Sequence, residues 1–208
     1  MAEVASPEPS PRCNLLPERR FVELKAVLAE RLAQVAASIQ PETFASLLDP
    51  LMRQLIQQAM TDAGAHEGTL WLAEATGQYL VPAYNTGPNA AKMVGKFRQP
   101  LKEGLICMVF ATEQPFVENA VYQNTQQSKL LDNFLHAQTC ALLAVPFYFL
   151  KNCRGVLSCV QLRSPDSAQP EPAGFSPVHL AAVQRAANVL TRLLEYRLLS
   201  STVDWAAD

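Results

Sequence analysis

Five cysteines and three histidines are the residues of this chain best suited to chemistry, and their spacing limits what they could do. Cys13, Cys107, Cys140, Cys153 and Cys159 are odd in number and never fall as CxxC, the spacing that sets thiols up for exchange or metal binding. His66, His136 and His179 are far apart and none stands in an HExxH pair, so no metal site is expected. His179 falls in the first turn of the last predicted helix, an ordinary place for a solvated polar residue. Cysteine is among the most often buried residue types, so Cys107 and Cys140 read first as core. No catalytic residue follows from these patterns.

The elements that would position such side chains belong to a chain of 208 residues, long enough to bury one substantial core. Hydrophobic residues make up 49% and charged residues 17%, so most of the chain should fold. A net charge of −2 supplies no basic field for a nucleic-acid backbone. No apolar run approaches the roughly 20 residues of a membrane helix. The opening "MAEVASPEPSPRCN" has neither a basic start nor an apolar stretch, so no export signal is read there. A cytoplasmic setting with free thiols is expected.

Residues 1–14 hold Pro7, Pro9 and Pro11 among small and acidic residues, a composition expected to stay disordered. Phe21, Leu24, Leu28, Leu32, Val35 and Ile39 then recur at steps of three and four, which predicts an amphipathic helix within residues 15–40. Asp49-Pro50 reads as an N-cap and first helical residue, and Leu51, Leu55, Ile56, Ala59 and Ala63 form the expected apolar face of a second helix. After Gly68 the period becomes extended: "TLWLAEA" and "QYLVPAYN" around Thr76-Gly77 predict a hairpin, with Pro82 marking a bulge or an edge. "LICMVFATE" fits a short helix, "PFVEN" a short strand and "SKLLDNFLHAQ" a further helix. "CALLAVPFYFL" and "GVLSCVQL" are nearly continuous apolar strands, as expected of strands central in a sheet, with Asn152 available for the turn between them. Ser176 and Pro177 start a last helix, 177–199, along which Leu180, Val183, Ala187, Leu190 and Leu194 keep three-four spacing, and 201–208 is read as a tail.

The order of these fragments resembles a GAF domain from about Thr43 to Leu199. Gly104 to Val109 looks like that family's glycine-led short helix, Thr112 to Val117 like its T-x-x-P turn, Leu142 to Phe147 like its L-x-V-P strand and Gly155 to Leu162 like its G-V-L strand. The resemblance implies an α+β fold: a GAF-like (PAS-like) central antiparallel sheet with flanking helices over 41–200, and amphipathic helices at both termini.

It also implies a small-molecule cavity over the sheet, walled by Gly104, Leu105 and Cys107. Trp71 and Tyr84 would suit a planar ligand, and Lys129, Asn133 and His136 would reach in from the "SKLLDNFLHAQ" helix. No cofactor is indicated, and the ligand is unidentified. Some members of the fold are cysteine-dependent reductases of free methionine sulfoxide, but their cysteine motifs find no match here. The "NKxD"-like motif associated with cyclic nucleotides is replaced by "QLRSPD". The expected function is a non-enzymatic sensory or regulatory module that passes its signal to a partner protein. The alternatives are a small redox enzyme using Cys107 or Cys140, or an interaction domain whose cavity its own side chains fill. The two terminal helices predict a homodimer whose seam contains Leu24, Leu28, Leu32, Val35, Val183, Leu190 and Leu194.

Overall fold

Alternating residues over Glu67–Ala73 (β1) and Tyr79–Asn85 (β2) fold back on each other around Gly77, which takes a φ of 65°. The computed structural model describes residues 19–163 and 170–203. The expected tail over 1–14, and with it Cys13, lies outside them, as do residues 204–208. β3 (Gln99–Pro100), β4 (Phe116–Glu118), β5 (Gln138–Phe149) and β6 (Asn152–Arg163) complete an antiparallel sheet in the order β3-β2-β1-β6-β5-β4. Pro82 does sit at an irregularity: Leu70 pairs with Tyr84 but Trp71 with Pro82, leaving Ala83 as the extra residue of a bulge. At Gly155 a Cβ would lie 1.8 Å from the Trp71 carbonyl oxygen, so only glycine lets β6 approach β1 there.

The turn between β5 and β6 departs from expectation. Its positive φ values fall on Leu150 (51°) and Lys151 (67°), while Asn152 pairs with Phe149 inside the ladder. The reason is tertiary. Leu150 packs against the core, and its N–H donates to Glu195 Oε1 at 2.8 Å, which fixes the turn one step earlier than local preference alone would.

One face of the sheet is covered by α1 (Arg19–Ser38), α2 (Pro41–Phe44), α3 (Pro50–Asp62) and α7 (Pro177–Val203). Asp49 caps α3 by accepting from the Met52 N–H at 2.8 Å, and Ser176 Oγ accepts from the His179 N–H at 3.3 Å at the start of α7. The buried face of α3 is the expected one at Ile56, Ala59 and Ala63, with Leu55 packed against the core; Met52 and Met60 join it, while Leu51 is 61% exposed. Flexible methionines fill the space beneath the helix, and Leu51 in the first turn points away. Helix α7 lies on β5 and α3, and Val183, Leu190 and Leu194 are fully buried there in the chain's own core. These three residues therefore cannot form a seam with another copy, because β5 and α3 already cover them. Along α1 burial fades toward the N-terminus: Ala36 is buried, Val35, Leu32 and Leu28 are half-buried, and Leu24 is 53% exposed.

The other face is covered by short segments: α4 (Ala90–Met93), α5 (Leu105–Thr112) and α6 (Leu130–Leu135) with the loops between them. Strand alternation sends Leu70, Leu72, Leu157 and Cys159 to the first face, and Trp71, Val156 and Val160 to the second. Among the described residues no helix is long and apolar enough to cross a membrane.

Candidate functional site

A cavity of about 70 Å³ lies between the second face of the sheet and the segments covering it. Its floor comes from β1 and β6. Glu67, Thr69 and Trp71 step along one side of β1, and Ser158, Val160 and Leu162 along one side of β6. Gly104, Leu105 and Ile106 at the start of α5 form one wall, and Leu131, Asp132 and Leu135 of α6 another. Gly104 has a φ of 94°, which side-chain-bearing residues rarely adopt, and a Cβ there would sit 3.1 Å from Ser128 Cβ and 3.4 Å from Gln99 Nε2. As a glycine it gives α5 no side-chain cap.

Most polar atoms of the cavity are held by one another. Trp71 Nε1 donates to Ser158 Oγ at 2.9 Å, and Asn85 Nδ2 donates to Thr69 Oγ1 at 2.8 Å. Asp132 fastens α6 to β5 by accepting from Thr139 Oγ1 at 2.6 Å, the Thr139 N–H at 3.1 Å and Gln127 Nε2 at 3.0 Å. Glu67 is 5% exposed and burial raises its pKa, an effect opposed by the Asn85 amide, the nearby His66 and the Asn89 side chain. The Ser128 hydroxyl is buried with no hydrogen-bond partner among the described residues.

Of the residues expected at the site, Trp71, Gly104 and Leu105 line this cavity. The others do not. Cys107 is buried beside it, with Sγ donating to the Pro100 carbonyl at 3.3 Å. Lys129, Asn133 and His136 are exposed, because α6 turns Leu131, Asp132 and Leu135 inward and His136 leaves the helix in the left-handed conformation, φ 52°. Tyr84 packs against the opposite core, where the Arg53 guanidinium lies 5.5 Å from its ring centre. The sequence reading passed over Glu67, Thr69, Asp132, Thr139 and Ser158. The alternation of Glu67, Thr69 and Trp71 against Gly68, Leu70 and Leu72 was the available signal for the first of these.

The thiols are poorly disposed to react. Cys107, Cys140, Cys153 and Cys159 are all free. Burial pushes Cys107 and Cys159 up to about 12, and it raises Cys140 and Cys153 as well, so all four are neutral thiols rather than thiolates. Among the described residues no three His, Cys, Asp or Glu side chains gather as a metal cluster would.

The fold is shared with solved structures. The GAF domain of a phosphoenolpyruvate-protein phosphotransferase from Coxiella burnetii is 16% identical with a TM-score of 0.57, covering 89% of this chain and 98% of that one. The corresponding domain from Acinetobacter is 16% identical with a TM-score of 0.55, covering 86% and 96%. A free methionine-R-sulfoxide reductase from Neisseria meningitidis, solved with its substrate, is 17% identical with a TM-score of 0.51, covering 91% and 97%. At these identities the likeness concerns the fold. No curated protein matches the sequence. The profile of the GAF domain matches residues 45–195, the whole sheet with α3 to α6 and most of α7, and the chain belongs to the GAF domain family.

Proposed function

We propose that this chain is a non-enzymatic sensory or regulatory module that binds a small molecule in the cavity above its sheet and signals as a homodimer to a partner protein. The observation that carries the reading is the cavity itself: a space over the sheet, bounded by α5 and α6 and lined by the buried Glu67 and the unpartnered Ser128 hydroxyl. Its volume holds roughly five water-sized bodies, so the ligand is small or α6 moves to admit it. Helix α6 suits that movement, since none of its residues is fully buried and Leu130 and Phe134 are exposed.

The dimer reading rests on surface that the fold leaves uncovered: Val22, Leu24 and Val27 on α1, with Val189, Tyr196 and Leu199 on α7. Leu24, Leu28 and Leu32 form an apolar groove with Leu199 that a second copy would cover. A cysteine-dependent reductase has less support, because each described thiol is held neutral by burial. Native mass spectrometry of protein purified from cells tests both parts: a dimer retaining a small non-protein mass is expected. A ligand-free monomer, with sedimentation showing no dimer at high concentration, would overturn the reading.

A further inference from the structure

The charge of the cavity narrows what can occupy it. Among the described residues no lysine, arginine or histidine lines it, whereas two carboxylates, Glu67 and Asp132, do. These are not equivalent. Asp132 already accepts three hydrogen bonds from Thr139 and Gln127 and serves to hold α6. Glu67 has a long contact from Asn85 Nδ2, 3.4 Å, with the nearby His66 and the Asn89 side chain also tempering its charge. It is also held in place. Asn85 is oriented by the Gly87 N–H, which donates to its Oδ1 at 2.7 Å, and a Cβ on Gly87 would fall 2.2 Å from Glu67 Cδ. The chain thus reserves room for a carboxylate at the edge of a largely apolar space. A buried carboxylate in such a place is stable when protonated or when opposite a cation.

Resting on the reading that the cavity binds a small molecule, we infer that its ligand carries a protonated amine on a short apolar body, with the ammonium on Glu67 and the body against Trp71, Leu105 and Leu131. The ammonium donates charge-assisted hydrogen bonds to the carboxylate, and the hydrocarbon meets the wall that α5 and α6 provide. Anionic ligands are excluded by the same carboxylate. The raised pKa of Glu67 makes binding pH-dependent. As pH rises through that pKa the carboxylate becomes charged while an alkylammonium, with a pKa of about 10, stays protonated, so affinity rises. His66, immediately before β1, and Asp132 from α6 are the other titratable groups near Glu67. His66 favours the charged form of Glu67.

Three probes of equal size test the inference on the full chain: n-butylammonium, n-butanol and butyrate, followed by ligand-observed NMR and calorimetry. The amine is expected to bind at least about tenfold more tightly than the alcohol, because its hydrogen bonds to the Glu67 carboxylate are charge-assisted. Butyrate should bind most weakly. Glu67→Gln should bring amine and alcohol within a factor of about two while the alcohol still binds. In the wild-type chain, amine affinity should rise as pH increases from the ordinary glutamate value of 4.5 toward neutrality, and alcohol affinity should not. A flat amine profile overturns the inference even if Glu67→Gln fails to fold. So does butyrate binding as tightly as the amine, or an amine preference that survives Glu67→Gln. Alcohol and acid binding without amine preference removes the inference but leaves a small-molecule cavity standing. No binding by any probe removes the inference, and an absence of retained ligand in cell-purified protein separately removes the cavity function.

Discussion

The two faces of the sheet use alternate residues of the same strands but are finished differently. On the helical face Phe44, Phe147 and Phe149 cluster with ring centres 6.0 to 6.4 Å apart, and Met60 Sδ lies 3.4 Å from Cys159 Sγ. On the cavity face the same strands present Glu67, Thr69, Thr139 and Ser158, all buried. The difference follows from the covers. Helices of 13 and 27 residues, α3 and α7, lay continuous apolar stripes on one side. Segments of four, eight and six residues, α4, α5 and α6, cover the other and cannot close over it without gaps. In such a gap buried polar side chains can hydrogen-bond to one another or to a guest. Stability is thus concentrated on one face and recognition on the other.

The largest test of this division is Leu190→Asp on the helical face. An unpaired charge there should cost more than about 4 kcal/mol and unfold the chain, seen as loss of circular dichroism. Dissociation to a folded monomer would instead return Leu190 to a dimer seam. Gly155→Ala, at the close approach of β6 to β1, forces backbone apart beneath both faces and should cost about 3 kcal/mol in a denaturant melt. A change below about 0.5 kcal/mol would show that β1 and β6 can separate freely. Asp132→Ala removes the three hydrogen bonds that hold α6, and should cost about 2 kcal/mol while speeding amide exchange over α6 far more than over α7. Equal acceleration on both faces would break the comparison.

Glu67→Gln should have a smaller effect with a definite sign. The folded chain raises the pKa of this carboxyl, so its contribution to stability is present below the unfolded value and is lost as pH rises through the folded one. The variant lacks that loss. Its melting temperature relative to wild type should therefore increase from acid to neutral pH, and a constant offset would contradict the burial of a titrating group. Lys129→Ala should do least. The side chain is exposed and outside the cavity, so melting and ligand retention should stay within about 0.5 kcal/mol of wild type.

What the sequence made legible was local. The Asp49 and Ser176 caps, the turn at Gly77 and the irregularity at Pro82 each depend on residues next to one another, and the structure shows all four. The order of the fragments carried the fold as well. What escaped depends on residues brought from afar. Val183, Leu190 and Leu194 make an apolar stripe whichever surface covers them, and spacing alone does not distinguish the chain's own β5 and α3 from a second copy. The turn at Leu150-Lys151 is set by Glu195, 45 residues away. Cavity-lining polar residues arrive from β1, β5, β6 and α6, so no short motif announces them. Lys129, Asn133 and His136 were read as inward because a six-residue helix is too short for its pattern to show which side faces the sheet.

Trp71, buried in the cavity floor, bonds to Ser158 through its indole N–H and meets the edge of Phe97 at 6.2 Å. The chain has two tryptophans, Trp71 and Trp205. Trp205→Phe would leave a single tryptophan, selectively excitable over the five tyrosines, positioned in the floor of the candidate site. Emission wavelength, quenching by small solutes and energy transfer would then report filling and opening of that space in real time, with no label attached. The residue that shapes the cavity would be its own optical gauge.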